Sequence, residues 1–389
     1  MNRNTVFSQL LQLICRYRFK KVVDRYEGDK YTKRFSCWQQ LLVLLFAQAK
    51  GLTSLRDIEV SLRSHYRKWY HLGLSSVARR TLADANTGRD ADILKDVFYA
   101  LLDKCRELSP KHRFKFKNPL YMFDSTLINV CLSLYPWATY RKKKGAFKLH
   151  TLLDHRGYLP SFLVITDGKT HDINVVKDSS YGFPSLSPDS ILLIDRAYID
   201  YNWLYSLTKN NLFFVTKAKK NMKYQIVGQQ ETSKNNGVIS DCRVRLMNYY
   251  QRRYYPDELR LVTFVNPDTG EQHEFVTNNG ILDAGIIADL YKSRWEIETF
   301  FKWIKQNLKI KSFLGTSKNA VMTQIWAAMI YYLPLSFIKF QTKCRHSLHE
   351  LTRIVGELFL DNIYLIETLT ITFDEYKRIK IKNIQLSFW

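Results

Sequence analysis

The sequence has few acidic residues, no closely spaced cysteines and no apolar stretch as long as a membrane span. Its six cysteines show no CxxC spacing, so we expect reduced thiols rather than a zinc site or a disulfide framework. The longest apolar run, residues 325–338, is shorter than the roughly 18 residues of a membrane helix and contains Pro334. The N-terminus has no apolar core followed by a small-residue cleavage site. We therefore expect a cytoplasmic protein with no membrane partner.

The shortage of acids leaves a large positive charge. Lys and Arg total 59 against 36 Asp and Glu, a formal net charge of +23 at pH 7. A membrane-surface or ribosomal protein could share this charge, but short basic tails would suffice for either. Here the positive charge runs through every region, which favours a nucleic-acid partner. The 389 residues, 46% of them hydrophobic, are enough for two or three domains with substantial cores.

Residues 1–112 show helical periodicity and form the first predicted domain. Ser36 can cap a helix that Gly51 ends, Ser54 can open the next helix, and Arg79 and Arg80 begin a later one. Helix, glycine turn and helix resemble a small DNA-reading module, although plain helical bundles share that pattern. We predict a DNA-end-binding region here, with Arg79 and Arg80 among its DNA contacts.

From residue 113 the periodicity changes to short β-rich runs. Three consecutive antiparallel strands are predicted, followed by a helix, the strand ILLI, a helix and a further strand, which indicates a mixed α/β sheet. Residues 219–279 look like a β-rich insertion before the helix that follows. We predict a domain over residues 113–345 and a helical C-terminal tail over residues 346–389.

Residues 291–305, YKSRWEIETFFKWIK, are predicted to form one helix with an apolar and a polar face. At about 100° per residue, Ile297, Phe300, Phe301 and Ile304 gather on an arc that must be buried. Tyr291, Glu298 and Lys305 recur every seven residues and form a polar stripe, with Arg294, Trp295 and Lys302 beside it. An ordinary solvated face, with Glu298 paired to Lys302, is the alternative.

Two more carboxylates interrupt apolar strands. Asp124 lies within YMFDSTL, and Asp195 ends ILLID. Each could simply cap the next turn, and Asp195 could pair with Arg196, but a buried carboxylate without a partner is costly and a metal ion would satisfy it. Together with Glu298 they are three hard oxygen ligands, a set that fits two Mg²⁺ ions, which Mn²⁺ can replace. The implied chemistry is phosphodiester cleavage or exchange.

At these residues the chain resembles the cut-and-paste DDE transposases of bacterial insertion sequences, in the insertion-sequence-four family. That family combines an RNase H-like catalytic domain with an Asp, Asp, Glu triad. Its signature is Y, two residues, R, three residues, E, six residues, K. The same spacing is present here in Tyr291, Arg294, Glu298 and Lys305, and the resemblance covers residues 118–340.

The resemblance implies a fold, a reaction and a role for each matching residue. The expected fold is an RNase H-like mixed sheet with a β-rich insertion before the last catalytic helix, plus an all-α N-terminal region. Asp124, Asp195 and Glu298 would be the catalytic metal ligands. Tyr291, Arg294 and Lys305 would hold the end phosphates, with Trp295 and Lys302 as further DNA contacts. The basic turn formed by Arg141, Lys142, Lys143 and Lys144 could also hold the DNA backbone, or be a solvated turn.

The expected function is transposition by Mg²⁺-dependent DNA cleavage at the element ends and transfer of the 3′-OH into target DNA. The partners would be duplex DNA with terminal inverted repeats, target DNA and a second copy of the chain in a homodimer on DNA, within the bacterial nucleoid. Two alternatives stay open: a structure-selective nuclease and a catalytically idle DNA-binding regulator on the same fold. A ribosomal or RNA-binding scaffold would show no metal dependence.

Overall fold

The computed structural model describes residues 5–68, 73–74, 76–107, 114–141, 144–230, 237–307, 313–342 and 344–370. The chain divides into two compact units, one formed by Met1–Pro110 with Trp303–Trp389 and the other by Lys111–Lys302. The functional domain boundaries near residues 112 and 345 stay a prediction. Lys142 and Lys143 lie outside the described residues.

The helices and strands alternate along the chain in three blocks: helical, mixed, and helical again. The helices are α1 (Val6–Leu11), α2 (Arg16–Arg25), α3 (Cys37–Lys50), α4 (Leu55–Ser64), α5 (Arg79–Gly88), α6 (Asp92–Glu107), α7 (Asp172–Lys177), α8 (Tyr201–Lys209), α9 (Tyr249–Tyr254), α10 (Ala284–Ser293), α11 (Trp295–Asn307), α12 (Lys318–Gln341), α13 (Leu348–Leu358) and α14 (Leu365–Thr370). The strands are β1 (Leu120–Val130), β2 (Thr139–Arg141), β3 (Lys144–Asp154), β4 (Leu159–Asp167), β5 (Ile191–Ile194), β6 (Phe213–Lys217), β7 (Tyr224–Gln229), β8 (Val238–Leu246), β9 (Leu259–Val265) and β10 (Gln272–Thr277).

The first unit is helical, and its helix ends follow the predicted capping signals. Ser36 and Gln39 form a capping box at the start of α3, and Gly51 ends that helix in the left-handed conformation with φ 63°. The side chain of Ser54 caps α4 by accepting a hydrogen bond from the backbone N–H of Asp57. The helical reading of this region is confirmed.

Helix α12 is the core helix of the first unit. It is long and apolar enough to cross a membrane by length and composition alone, but 89% of its most apolar window is buried inside the protein. It packs against α3, α5, α6 and α13. Pro334 lies inside the helix, which continues through it. The apolar run is therefore accounted for by burial within the unit.

The second unit is built on one mixed sheet. Strands β1, β3 and β4 are consecutive antiparallel neighbours, while β5 lies parallel to β1 and β6 lies parallel to β5. The resulting order is β4-β3-β1-β5-β6, which is the RNase H-like arrangement. This confirms the fold class predicted from the sequence, and it puts the strands that carry Asp124 and Asp195 side by side.

The β-rich insertion extends the same sheet rather than forming a separate one. Strand β10 pairs with β6, and the order continues through β9 and β8 to β7, giving ten strands among the described residues. The insertion also supplies part of the apolar core: Val244, Leu246 and Tyr255 are buried together with residues of β1, β5, β6 and α8. Main-chain hydrogen bonds therefore join the insertion to the part of the sheet that carries the acids.

Residues 278–283 connect the insertion to α10, and their polar groups are paired. Asn278 donates its side-chain N–H to the carbonyl of Leu212 at 2.8 Å and accepts the backbone N–H of Phe214 at 2.9 Å. Arg260 on β9 donates to the carbonyl of Asn279 at 3.0 Å. This loop is therefore held by both β6 and β9.

Candidate active site

Two of the three predicted catalytic acids lie next to paired residues of neighbouring parallel strands. Phe123 on β1 is in register with Ile194, the last residue of β5, so Asp124 is the next residue of β1 and Asp195 directly follows the end of β5. Adjacent strands are about 4.8 Å apart, which places the two backbones close together. The side chain of Asp195 also accepts a hydrogen bond from the backbone N–H of Arg196 and caps a short 3₁₀ turn. This is the turn-capping alternative predicted for Asp195.

The third acid, Glu298, lies on a helix, and the prediction for this helix was wrong in one respect. Residues 291–305 do not form one continuous helix: α10 ends at Ser293 and α11 begins at Trp295. The buried hydroxyl of Ser293 donates to the carbonyl of Leu290 at 2.7 Å, a bond that competes with the helical pattern and bends helices. Arg294 lies at this break, so Tyr291 belongs to one helix and Glu298 to the next.

Arg294 joins two of the acids. Its Nη1 donates to Oδ2 of Asp124 at 3.0 Å, and its Nη2 donates to Oε1 of Glu298 at 2.8 Å. Its guanidinium also lies over the ring of Tyr291 at 5.5 Å from the centroid. Since both carboxylates share one cation, the break between α10 and α11 brings the strand acid and the helix acid together. The sequence motif predicted a phosphate contact for Arg294, and this bridging role was missed.

The surroundings of Asp124 disfavour the ionised form of its carboxyl group. Burial raises the pKa of its carboxyl to about 6; the Arg294 guanidinium and the Ser125 backbone N–H oppose that rise, and the negative charges of Asp195 and Glu298 add to it. Both other acids are thus close enough to act on Asp124 electrostatically. A cation beside Asp124 would oppose the effect of these two negative charges and would favour its ionised form.

The side chains fit a hard divalent cation in chemistry, although they are not gathered into a compact metal site. In the described part of the chain, no three His, Cys, Asp or Glu side chains are grouped closely enough to hold a metal ion. Asp124 and Glu298 do not meet directly because the guanidinium of Arg294 lies between their carboxylates. Their donors are all carboxylate oxygens, which Mg²⁺ and Mn²⁺ prefer, and Arg294 already provides there the positive charge that such an ion would supply.

A cleft of about 1050 Å³ opens beside this group and is lined by aromatic and basic side chains and also by the acids Asp268, Asp283, Asp289 and Glu296. Arg294 belongs to its wall, as do Tyr291, Trp295 and Lys292. The insertion contributes Phe275, which packs against Tyr291 with ring centroids 4.8 Å apart. The insertion and the α10–α11 junction thus form one cleft next to the acids.

A polar cluster beside Asp124 was not predicted. Asp172, at the start of α7, accepts hydrogen bonds from the hydroxyl of Ser125 at 2.7 Å and from Lys148 Nζ at 3.1 Å. His150 is fully buried and is hydrogen-bonded to the Thr166 hydroxyl at 2.9 Å, and burial lowers its pKa to about 4. His150 is therefore neutral and structural. Polar side chains alternating with apolar ones along β3 were the available signal.

Several of the other predicted DNA contacts are exposed. Trp295, at the start of α11, is exposed, as are Lys302 and Lys305 later in that helix. Lys144, which is exposed, begins β3 and pairs with Arg141 at the end of β2. Arg79 and Arg80 are exposed at the start of α5. The DNA-binding roles of all these residues stay predictions.

Comparison with known proteins identifies the class of the second unit. Residues 115–333 match the family described as "Transposase DDE domain", and residues 2–75 match a family described as "Domain of unknown function (DUF4372)". The first match spans more than half of the chain and contains all three acids. The chain therefore belongs to the DDE transposases, which confirms the resemblance and makes it an enzyme that acts on DNA.

Three transposase relatives are similar to this chain along most of its length. A probable transposase for insertion sequence element IS5377 of Geobacillus stearothermophilus is 30% identical over 88% of this chain and 87% of the relative. A putative transposase y4zB of Sinorhizobium fredii is 34% identical over 66% of this chain and 70% of the relative. A putative transposase for element IS4SA of Synechocystis is 24% identical over 73% and 78%.

A cryo-EM structure of a piggyBac transposase synaptic complex with hairpin DNA aligns with 97% of this chain and 82% of that one. The TM-score is 0.45 at 12% identity, a similarity too low to specify function.

Proposed function

We propose that this transposase cleaves DNA at insertion-sequence ends by metal-dependent hydrolysis and joins the freed 3′-OH to target DNA. The observation that carries the proposal is the convergence of Asp124, Asp195 and Glu298 around Arg294. Two of these acids lie next to paired residues of neighbouring strands, and the third shares a guanidinium with the first. The partners would be duplex DNA with terminal inverted repeats, target DNA, and a second copy of the chain on the DNA.

Asp124, Asp195 and Glu298 would hold two divalent ions, Mg²⁺ or Mn²⁺. When bound, such ions supply the positive charge that activates the attacking oxygen and stabilises the departing one. Asp124 must be ionised to act as a ligand, and the neighbouring Arg294 supports that form by opposing the effect of burial. The polar cluster around Asp172 fixes β1 next to this carboxylate, because Ser125 is its direct neighbour.

Arg294 would also hold the substrate. A guanidinium can form two parallel hydrogen bonds to phosphate as readily as to carboxylate. Arg294 belongs to the wall of the cleft, and its two Nη atoms, which donate to Asp124 and Glu298, are the donors that a phosphate would share with the carboxylates. A DNA phosphate at the mouth of the cleft would meet Arg294 within reach of the acids, while Tyr291 supports the guanidinium from below.

The test is cleavage of a duplex that carries the element end, in the presence of Mg²⁺, by wild type and by Glu298→Gln. We expect cleavage to fall by more than about a hundredfold, the scale seen when a group that stabilises transition-state charge is removed. Glu296→Gln is the matched control, since Glu296 lies two residues away on the same helix and, among the described residues, forms no hydrogen bond or ion pair with Asp124 or Arg294. Undiminished cleavage by Glu298→Gln, or equal loss in both variants, would refute the assignment.

A further inference from the structure

The insertion carries an exposed patch of aromatic and basic side chains around α9. Tyr249, Tyr250 and Tyr254 are 72%, 66% and 50% exposed. Arg252 and Arg253 are exposed between them. Large aromatic side chains at this level of exposure are unusual on a surface that meets only water. We call these five residues the α9 patch.

The patch stands on a firmly anchored segment. The side chain of Asn248 caps α9 by accepting the backbone N–H groups of Tyr250 and Gln251. After the helix, Tyr255 is buried in the core, 5.3 Å from Tyr205 between ring centroids, and its hydroxyl is hydrogen-bonded to Thr208 at 2.9 Å. The helix is held at both ends, so its exposed side chains are presented on a fixed backbone.

The charge of the patch is not balanced by nearby acids. Glu258 is shared by Arg245 at 2.9 Å and Arg243 at 3.5 Å. Within the described ranges, no carboxylate forms an ion pair with Arg252 or Arg253. Two guanidinium groups therefore stand free next to aromatic rings, a combination that suits phosphates for the cations and sugars or bases for the rings.

The patch lies at the edge of the sheet away from the catalytic acids. Asp195 follows the end of β5, and β6 runs parallel to β5. Strand β9 is antiparallel to β10, which is antiparallel to β6, so β9 ends at the edge where Asp195 lies and begins at the opposite one. The α9 segment leads into the beginning of β9. Through the pairing register Asp195 is level with Val262, three residue steps of about 3.3 Å beyond the first residue of β9, an offset of roughly 10 Å along the strands.

We propose that the α9 patch is a second DNA-binding surface, which holds duplex DNA by its backbone, without reading sequence and apart from the end being cut. Free cations on a chain of net charge +23 favour polyanionic DNA over a second copy of the same chain, which would carry the same charge. This inference extends the proposed function. It rests on that function only for the identification of DNA as the polyanion that the patch binds. Arg252 and Arg253 would contact phosphates, and the tyrosines would pack against the sugar-phosphate chain.

The test measures binding of the full chain to a random-sequence duplex without an element end, by fluorescence anisotropy over a series of salt concentrations. For Arg252→Gln with Arg253→Gln we expect weaker binding, and a log–log salt slope that is smaller by about 2, since each phosphate contact contributes about 0.9. For Tyr249→Ala with Tyr250→Ala we expect affinity to fall about threefold to tenfold with the slope unchanged.

The matched control removes two cations of the same unit that already hold ion pairs, Arg156 with Asp154 and Lys177 with Asp200. Arg156→Gln with Lys177→Gln should change the slope by clearly less than the patch variant. An equal change in both would overturn the proposal, since the effect would then belong to net charge. Thermal melting must show that the variants fold, and should the arginine pair fail to fold, the tyrosine pair decides alone.

Two further outcomes distinguish this proposal from a contact between copies of the chain and from the proposed function itself. Unchanged DNA binding by both patch variants, with a smaller assembly in sedimentation velocity, would overturn it in favour of a contact between copies of the chain. Failure of the proposed function would appear elsewhere, as absence of Glu298-dependent cleavage by wild type. Binding to the random duplex would still report on the patch in that case.

Discussion

Two buried arginines of the same unit are used in opposite ways. The side chain of Arg260 is 6% exposed and that of Arg294 is 12% exposed. Arg260 binds one carboxylate, Asp241, through two hydrogen bonds of 2.8 and 2.6 Å, and donates its third nitrogen to the carbonyls of Asn279 and Leu282. Arg294 divides its donors between two carboxylates and leaves Nε without a partner.

The difference separates a structural arginine from one that we propose takes part in the chemistry. All three guanidinium nitrogens of Arg260 donate to one acid or to main-chain oxygens of the fold, so exchanging any of these partners would cost stability. Arg294 bridges two of the proposed metal ligands and belongs to the wall of the cleft, and its Nε is buried without a hydrogen-bond partner. We expect mutations at the first site to act on folding and mutations at the second to act on ionisation and catalysis.

Asp241→Asn should give the largest effect on stability. It leaves the Arg260 guanidinium buried without its counter-charge, and breaking a buried pair in this way costs about 3–5 kcal/mol. Urea denaturation measures the loss. Glu258→Gln in the same insertion is the control, since its partly exposed pair with Arg245 is worth less than about 1 kcal/mol. If the two variants lose equal stability, Arg260 is not the anchor described here.

Asp124→Asn should act in the reverse direction and depend on pH. The pKa of Asp124 is raised to about 6, so the folded state holds this proton more tightly than the unfolded chain. Wild-type stability is therefore reduced as pH rises from about 4 to about 6, by up to about 3 kcal/mol. Asp124→Asn should match wild type near pH 4 and exceed it at pH 7, as measured by urea denaturation at each pH. A variant no more stable than wild type at pH 7 would contradict the assignment.

Arg294→Gln should have the smallest of these effects on stability. It tests most directly whether Arg294 controls the ionisation of Asp124. Arg294 is the largest influence that lowers the pKa of Asp124. Without it, the pH range in which Asp124 reduces stability should move upward, by about one unit. The measurement compares Arg294→Gln with Arg294→Gln plus Asp124→Asn across pH. Lys292→Gln, an exposed neighbour, should leave the range where it is.

The sequence predicted those features that depend on local chemistry. Capping by Ser36 and Ser54, the glycine stop at Gly51 and the alternating strands gave the helical region and the sheet. A carboxylate that interrupts one apolar strand and another that ends the next predicted that Asp124 and Asp195 come within reach of a shared cation, because functional groups collect at strand ends in such sheets.

The features that the sequence did not predict depend on tertiary contacts. The break at Arg294 lies beside the buried Ser293, whose hydroxyl donates to the carbonyl of Leu290, whereas seven-residue spacing alone favoured an uninterrupted helix. The pairing of Arg260 with Asp241 joins two strands of the insertion, and neither residue carries a local signal. Helix α9 was missed as well, because YYQRRY is short and lies among strands.

The loop of residues 278–283 limits bending between the insertion and α10. Its side chains and carbonyls are held by β6 and β9, and Asp283 caps α10. A connection pinned at each end cannot serve as a hinge. The insertion and the start of α10 should therefore move as one rigid body, and the amide protons of the loop should exchange with solvent as slowly as those of the strands it joins.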